Sequence, residues 1–375
     1  MILNIKDFRE VCKTISGAVD DTAANLGLAA RDNKLFLSVT NREYFVSIKY
    51  DLDTAENFKA VVDASLFLNL ISGITTDSIE LIVEDNVVKI KSGKSSYKLP
   101  MIYENDHLME LPVISVSNKT IEMPISNTVL QSIVNINGKE LLKLKSMSKV
   151  NELQKLYYIT NEGCFTFTNS STLNAFTLEK PVKMLLNDRV VKLFKLFKDD
   201  VRFSLGHDTT DGGQIQTKVV FENESMYLAA VITNDDLLLS KIQGPCDATK
   251  NYINSVYKNK LVLSANQLAA AISRIMLFTK NSISGINMNF VPATFKISAT
   301  DLTIEDSQGN IESITIENGS VVGEDYDMTL NLSDIKLALD SCKDEHITLN
   351  CGNKTSIVIT RNNVSNLIPE CVRAE

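Results

Sequence analysis

Between Lys59 and Met101 the hydrophobic positions change period once, from helical spacing to strict alternation, and that switch is the unit from which the chain is built. Ala60-Val61-Val62 reads as a short apolar strand. Asp63 can cap a helix in which Leu66, Phe67, Leu70 and Ile71 recur at helical spacing, and Gly73 ends it. Beyond it Ile79, Leu81 and Val83, then Val88 and Ile90, then Tyr97 and Leu99 alternate with polar residues. Glu84-Asp85-Asn86 and Lys91-Ser92-Gly93-Lys94 separate these runs, which predicts an antiparallel meander.

The same pattern starts again at Lys183 and at Met328, each time as strand, Asn/Asp/Ser-headed helix and alternating strands. A spacing of about one third of the chain exceeds solenoid periods and points to tandem copies of a whole domain. Each third opens with a second unit of the same kind. Residues 1–50 predict a strand at Met1–Ile5, a helix on Phe8, Val11, Cys12, Ile15 and Val19, and strands at Ala24–Ala30, Lys34–Thr40 and Tyr44–Tyr50. Residues 120–180 predict strand Thr120–Met123, helix Thr128–Asn135, and strands Leu156–Thr160, Cys164–Asn169 and Ala175–Glu179, with a lysine-bearing polar insert at Asn137–Gln154. Residues 260–317 predict strand Leu261–Leu263, helix Asn266–Met276, and strands near Ile286–Phe290, Thr294–Ala299 and Ile311–Glu317.

Six strand-helix-strand repeats therefore pair into three domains, 1–118, 119–246 and 247–375, with boundaries near Ile114–Lys119 and Gly244–Tyr252. The predicted class is α+β, each domain carrying two helices packed on antiparallel sheets.

Composition agrees with a globular chain of several domains: 375 residues, 44% hydrophobic and 22% charged. No apolar run reaches the roughly 18 residues that span a bilayer. The early charges of MILNIKDFRE lack a signal core, so a cytoplasmic location is expected. The six cysteines (12, 164, 246, 342, 351 and 371) form no CxxC pair and read as free, buried thiols. Net charge is −8, distributed as −5 over residues 1–122, +1 over 123–246 and −4 over 247–375.

Catalytic motifs fail one by one. His107, His207 and His346 have no partner at ligand spacing, and there is no HExxH, GxSxG or GxGxxG. Ser92–Ser95 (SGKS) lacks the earlier glycine of a phosphate loop, and Asp208–Gln214 lacks the alternating ligands of a calcium loop. A non-catalytic protein without metal or cofactor is expected.

The helices carry a charge pattern instead. Opposite the stripe of Val190, Leu193, Phe194 and Phe197 run Arg189, Lys192, Lys195 and Lys198. Lys6, Arg9 and Lys13 flank the first helix, and Arg274, Lys336 and Lys343 sit on the last two. One such face is an ordinary solvated helix, and the Asp63–Gly73 helix has no basic residue at all. Repetition over most of the helices, with few aromatics interleaved, points to phosphate contact without sequence reading.

The segments KLFLSVTNREYFVSIKY, VVDASLFLNLISGITTDSIELIVEDNVVKIKSGKSSYKLP and MTLNLSDIKLALDSCKDEHITLNCGNKTSIVI are similar to the bacterial DNA polymerase III beta subunit family, the sliding clamps. The resemblance runs over the whole chain, and the ending LIPECVRAE loosely matches the family's final segment. It implies a processivity factor: a head-to-tail homodimeric ring around double-stranded DNA, bound without regard to sequence. DNA polymerase and clamp loader would dock through short peptide motifs, with no membrane involved. It implies that Arg9, Lys13, Arg189, Lys192, Lys195, Arg274 and Lys336 face the DNA. Closure would set Leu108 and Leu111 of one subunit against Leu277 and Phe278 of the next.

Carried over by position, the partner pocket would comprise Thr168, Ser170, Leu173, Pro245, Ile283, Asn331, Thr355, Ile357, Ile368, Pro369 and Arg373. Two departures bear on partner choice: the family's central motif reads FTNSSTLNA at Phe167–Ala175, and Pro369 stands two residues early relative to Arg373. Two other readings stay open at this point. One is a non-catalytic interaction protein that keeps the clamp fold without loading onto DNA, the other an enzyme with an unrecognised site.

Overall fold

The computed structural model describes residues 1–53, 56–136, 156–168, 170–209, 212–232, 236–282, 290–339, 346–352 and 355–371. The polar insert at 137–154 lies outside them.

The repeat is realised six times. The first copy is β1 (Ile2–Asn4), α1 (Ile5–Ser16), β2 (Asn25–Arg31), β3 (Lys34–Thr40) and β4 (Tyr44–Asp51). The second is β5 (Phe58–Asp63), α2 (Ala64–Gly73), β6 (Ser78–Glu84), β7 (Val87–Ser92) and β8 (Ser95–Pro100), trailed by the small hairpin β9 (Tyr103–Glu104) and β10 (His107–Leu108). The third is β11 (Lys119–Ile125), α3 (Asn127–Asn135), β12 (Leu156–Thr160), β13 (Gly163–Phe167) and β14 (Ser171–Ala175). The fourth is β15 (Lys183–Asn187), α4 (Asp188–Leu193) with a 3-10 turn at Phe194–Leu196, β16 (Val201–Thr209), β17 (Ile215–Glu222) and β18 (Met226–Ile232).

A helix outside the repeat, α5 (Asp236–Ile253), intervenes. The fifth copy is β19 (Asn259–Ser264), α6 (Ala265–Ser282), β20 (Pro292–Ile297), β21 (Asp301–Glu305) and β22 (Ile311–Thr315). After a short β23 (Val321–Val322), the sixth is β24 (Tyr326–Asn331), α7 (Leu332–Leu339), β25 (His346–Cys351), β26 (Ser356–Arg361) and β27 (Val364–Pro369).

The copies are interlocked in pairs. The strand that leads into each helix pairs with the three strands of its sibling: β1 with β6 and β5 with β2, β11 with β16 and β15 with β12, β19 with β25 and β24 with β20, all antiparallel. This exchange explains the continuous apolar character of strands such as Ala60-Val61-Val62, all three buried. Neither sibling can leave without breaking a backbone ladder of the other.

By contact the chain forms two compact units, Met1–Gln131 with Arg189–Thr233, and Ser132–Asp188 with Asn234–Glu375. The first holds a four-stranded sheet, β1-β6-β7-β8, and an eight-stranded one, β11-β16-β17-β18-β4-β3-β2-β5. The second holds a nine-stranded sheet, β15-β12-β13-β14-β27-β26-β25-β19-β23, and a four-stranded one, β22-β21-β20-β24. The long sheets arise because β18 pairs with β4 (Met226↔Ile48 to Ala230↔Tyr44) and β14 with β27 (Ser171↔Leu367 to Asn174↔Val364).

Local sequence accounts for the helix starts. The Asn4 side chain accepts from the amides of Lys6 (3.0 Å) and Asp7 (3.3 Å), and Asp63 Oδ1 accepts from Leu66 N at 2.6 Å, the cap expected from sequence. That cap fixes the phase of α2 differently from expectation. Ala64, Phe67, Leu68 and Ile71 form the buried stripe, while Leu66 points outward at 52% exposure. In the first unit Phe8, Phe67, Phe194, Phe203 and Phe221 are fully buried, with the Phe194 and Phe221 ring centroids 4.6 Å apart. In the second unit one cluster around Phe295, Leu330, Ile335, Leu349 and Ile359 joins α6 and α7 to their sheets.

Two expectations are corrected. The strand expected at Ala175–Glu179 is Ser171–Ala175, because Thr172 and Asn174, read as loop residues, take the buried side of the ladder. Asp301–Glu305, missed in sequence, is a strand between β20 and β22. The expected strand at Ile286–Phe290 falls mainly on 283–289, outside the described residues. The stretch Gly244–Tyr252, where a boundary is expected, is helical: Ile242, Cys246 and Thr249 bury one face of α5 at spacings of four and three, and the helix runs through Gly244 and Pro245.

Candidate nucleic-acid and peptide interfaces

The basic helix residues differ in their exposure. In the first unit Arg9 is half-buried on α1 and donates through its guanidinium to the Ile74 carbonyl just past α2. Arg189, at the start of α4, lies 3.5 Å from both Asp20 and Glu43 and donates to Thr22 Oγ1 at 3.3 Å. Burial opposes ionisation of Asp20, but hydrogen bonds from Thr22 and the Arg189 charge hold its pKa below the usual carboxylate value. Lys13, Lys192, Lys195 and Lys198 are exposed, and three of these four follow one another along α4 and the turn after it. Lys6, Asp7, Glu10 and Lys13 balance on the outward face of α1, so the basic surface of this unit is concentrated between Lys192 and Lys198.

In the second unit Arg274 on α6 forms a two-pronged pair with Glu312 on β22, at 2.6 and 2.7 Å. The pair raises the pKa of the arginine and lowers that of the glutamate. Lys336 on α7 donates to Ser273 Oγ at 3.2 Å.

The expected pocket residues, all in the second unit, separate. Ile357 and Ile368 are 1% and 0% exposed and belong to the main core, so they offer no wall to a ligand. Asn331 caps α7: its Oδ1 accepts from Val291 N (2.9 Å) and Ser333 N (3.3 Å), and its Nδ2 donates to Asp334 at 2.9 Å. Thr168 turns back on Ser170, whose carbonyl takes both its amide (3.0 Å) and its hydroxyl (3.4 Å). Ser170 Oγ is buried without a hydrogen-bond partner. Pro369 is exposed at the end of β27. Ile283 and Arg373 lie outside the described residues.

Leu173, Pro245 and Thr355 are arranged around α5. This helix packs on β14 and β27 over a satellite cluster of Tyr158, Phe165, Leu185, Ile242 and Cys246, with half-buried Leu156, Phe167, Leu173, Leu238 and Leu239 against it. Its second half is fastened by polar ties. Lys250 pairs with Glu162 and lies 5.7 Å from the Phe165 ring centroid, and Tyr252 Oη meets Thr355 Oγ1 at 3.1 Å; in the first half Gln243 meets Tyr158 Oη at 3.5 Å. Tyr158, Phe165, Leu238, Leu239 and Ile242 were missed in sequence. The four-residue spacing of Leu238, Ile242 and Cys246 was the available signal, obscured by placing a domain boundary near Gly244–Tyr252.

The expected closure residues lie at two sheet ends. In the second unit Leu277 and Phe278, one turn beyond Arg274, are 63% and 54% exposed, and α6 packs against β22, whose Ile311 is 61% exposed. In the first unit Leu108 is half-buried on β10. Leu111 is committed to its own sheet, since a Cβ on Gly27 of β2 would come 2.7 Å from Leu111 Cδ1.

Among the described residues no group of His, Cys, Asp and Glu is placed to hold a metal ion. No described helix is long and apolar enough to cross a membrane. Cys12, Cys164, Cys246 and Cys351 are buried free thiols, and burial raises Cys12, Cys246 and Cys351 to about 12.

The architecture is that of the sliding clamps. Residues 5–110 match the family model for the DNA polymerase III beta subunit, N-terminal domain, and the chain resembles that family over its whole length. The DNA polymerase III subunit beta of Pseudomonas aeruginosa is 13% identical, with 99% of each chain covered and a TM-score of 0.75. The beta subunit of Streptococcus pyogenes DNA polymerase is 14% identical, covering 100% of this chain and 99% of that one, with a TM-score of 0.76. The Helicobacter pylori beta clamp bound to a DNA ligase peptide is 18% identical, with 99% of each chain covered and a TM-score of 0.70. Comparison with curated protein sequences finds no match.

Proposed function

We propose that this chain is a DNA polymerase processivity factor, a clamp of three domains (1–118, 119–246 and 247–375) that closes as a head-to-tail homodimer around duplex DNA. One observation carries the reading. Every junction between domains joins the last strands of two repeats: β4 with β18, and β14 with β27. The last strands left over are β8 and β22, each at one end of a four-stranded sheet whose other end is a strand that leads into a helix, β1 or β24. Edges of that kind are templates for pairing with another chain. Joining β8 of one copy to β22 of the next repeats the internal junction, and two copies satisfy both edges by a closed heterologous contact. Exposed Leu277, Phe278 and Ile311 supply apolar surface beside β22.

The helix faces then meet DNA through phosphate, and the exposed Lys13, Lys192, Lys195 and Lys198 are the cations we assign to it. Polymerase and loader dock through short peptides on the satellite cluster beneath α5, a reading supported by the Helicobacter pylori clamp with its ligase peptide. The protein contributes no chemistry of its own and acts in the cytoplasm.

The test is retention on circular against linear DNA, with sedimentation of the free protein. A dimer that stays on nicked circles and runs off linear ends supports the clamp, and equal loss from both defeats it. A second reading, an interaction protein that keeps the fold without loading, is favoured by one observation: Arg9, Arg189, Arg274 and Lys336 already have partners within the chain. Dimerisation without any retention would select it.

A further inference from the structure

We infer that the first half of α5, Asp236–Gly244, is a resident competitor for the peptide groove it covers, lifting at Gly244-Pro245 to admit a partner peptide of the same aliphatic chemistry. The inference rests on the reading of that groove as the partner site, and it adds how the groove is regulated and what it selects.

Three features of α5 divide it at the same place. Pro245 lacks an amide, so the Lys241 carbonyl loses its partner one turn ahead and the helix is weakest there. Gly244 precedes it although a Cβ at that position would meet nothing within 4 Å, so glycine is not required by packing and only softens the helix. The fastenings are also unequal. Beyond the break Cys246 and Thr249 are buried, and Lys250 and Tyr252 carry polar ties to Glu162 and Thr355. Before the break Ile242 is fully buried in the cluster of Tyr158 and Phe165, while Leu238 and Leu239 are half-buried against it. On this half Gln243 meets Tyr158 Oη at 3.5 Å, long for a hydrogen bond.

The seat under this half is apolar and aromatic, and it belongs to a cluster separate from the main core. Lifting therefore uncovers a surface without opening the domain. What occupies it now states its preference: two adjacent aliphatic side chains followed by a third three residues on, presented by a short segment. A partner peptide with that spacing competes with Leu238, Leu239 and Ile242, and its apparent affinity is reduced by the fraction of time the seat is covered. Exchange among several partners follows, since each must displace the same weakly held segment.

The experiment uses the full chain and a fluorescein-labelled peptide of residues 236–244 as probe. Leu238→Ser with Leu239→Ser releases the resident segment and should bind the probe about tenfold more tightly than the unaltered protein. Gly244→Ala with Pro245→Ala stiffens the break and should bind it several-fold more weakly. Hydrogen exchange on the unaltered protein should show amides 240–244 opening ahead of 249–253. Equal probe binding by the three proteins, or opening of both halves in one step, overturns the inference. Probe binding that shifts as stated in a protein not retained on circular DNA would defeat the clamp reading and leave the resident competitor standing.

Discussion

Arg274 on α6 grips Glu312 on β22 with both prongs of its guanidinium, at 2.6 and 2.7 Å. An arginine expected on sequence grounds to face DNA is thereby tied to an end strand of its sheet. It holds the edge that the proposed closure depends on, in a geometry that fixes direction as well as distance. Edge strands that carry a helix-anchored charge stay in register without a neighbour, and β22 has a neighbour on one side only.

The first prediction is the pH dependence of this tie. The hydrogen bond from Arg274 holds the Glu312 pKa below its ordinary 4.5. A group whose folded pKa is depressed contributes stability that is complete above the unfolded value and disappears as pH falls through the folded one. The thermal midpoint of unfolding should therefore keep this contribution in full above about pH 5 and lose it as pH falls below 4.5. Glu312→Gln should lose this dependence. Parallel profiles for the two proteins would show that the pair does not support the edge.

Closure itself is tested at the neighbouring turn. Leu277→Asp with Phe278→Asp places two charges on the most exposed apolar pair of α6. Neither side chain fills the core, so thermal stability should change little while sedimentation at low micromolar concentration gives monomers. A double variant that remains dimeric removes these residues from the interface.

The repeat was legible because each copy announces itself by a change of hydrophobic period. The Asp63 cap and the exchange-buried Ala60-Val61-Val62 strand are local facts that sequence carries directly. Strand exchange between siblings was not legible, since nothing in β1 or β5 records which sheet it will join. The site residues fared worst where packing decides their roles. Ile357 and Ile368 look like pocket walls but fill the core, Asn331 looks like a ligand donor but caps a helix, and Arg9 spends its charge on the Ile74 carbonyl. The groove under α5 escaped because a domain boundary is expected near Gly244–Tyr252, although the helix continues through it.

DNA contact should concentrate on one helix. Lys192→Glu with Lys195→Glu reverses two exposed lysines of α4 and its following turn, without touching buried Val190, Leu193 or Phe194. Retention on circular DNA should fall, and log affinity should decline with log salt at about −0.9 per phosphate neutralised, with a shallower slope for the variant. Arg274→Ala, whose charge is already engaged, should alter that slope little. Salt-independent retention would exclude phosphate as the contacted group.

The groove is best probed at Leu173, the sequence-expected pocket residue that the fold leaves half-buried against α5. Deleting the chain end is a poorer probe. The Glu370 amide donates to Thr355 O at 3.0 Å and the Cys371 amide to Thr329 O at 2.8 Å, so removing residues 369–375 should cost about 2 kcal/mol for the two backbone bonds. Ile368, fully buried, would lose its cover in the same variant. Leu173→Asp leaves both ladders of β14 intact, with β13 through Phe165 and with β27 through Ser365, because only the side chain changes. It places a carboxylate among Tyr158, Phe165 and Leu239, where an apolar peptide side chain would have to sit. Binding of a labelled aliphatic peptide should weaken by about tenfold or more, as expected for a charge in the centre of an apolar contact. Sedimentation and DNA retention should stay unchanged. If peptide affinity survives this substitution while the thermal midpoint falls, Leu173 is a packing residue of the β14·β27 junction and the groove lies elsewhere.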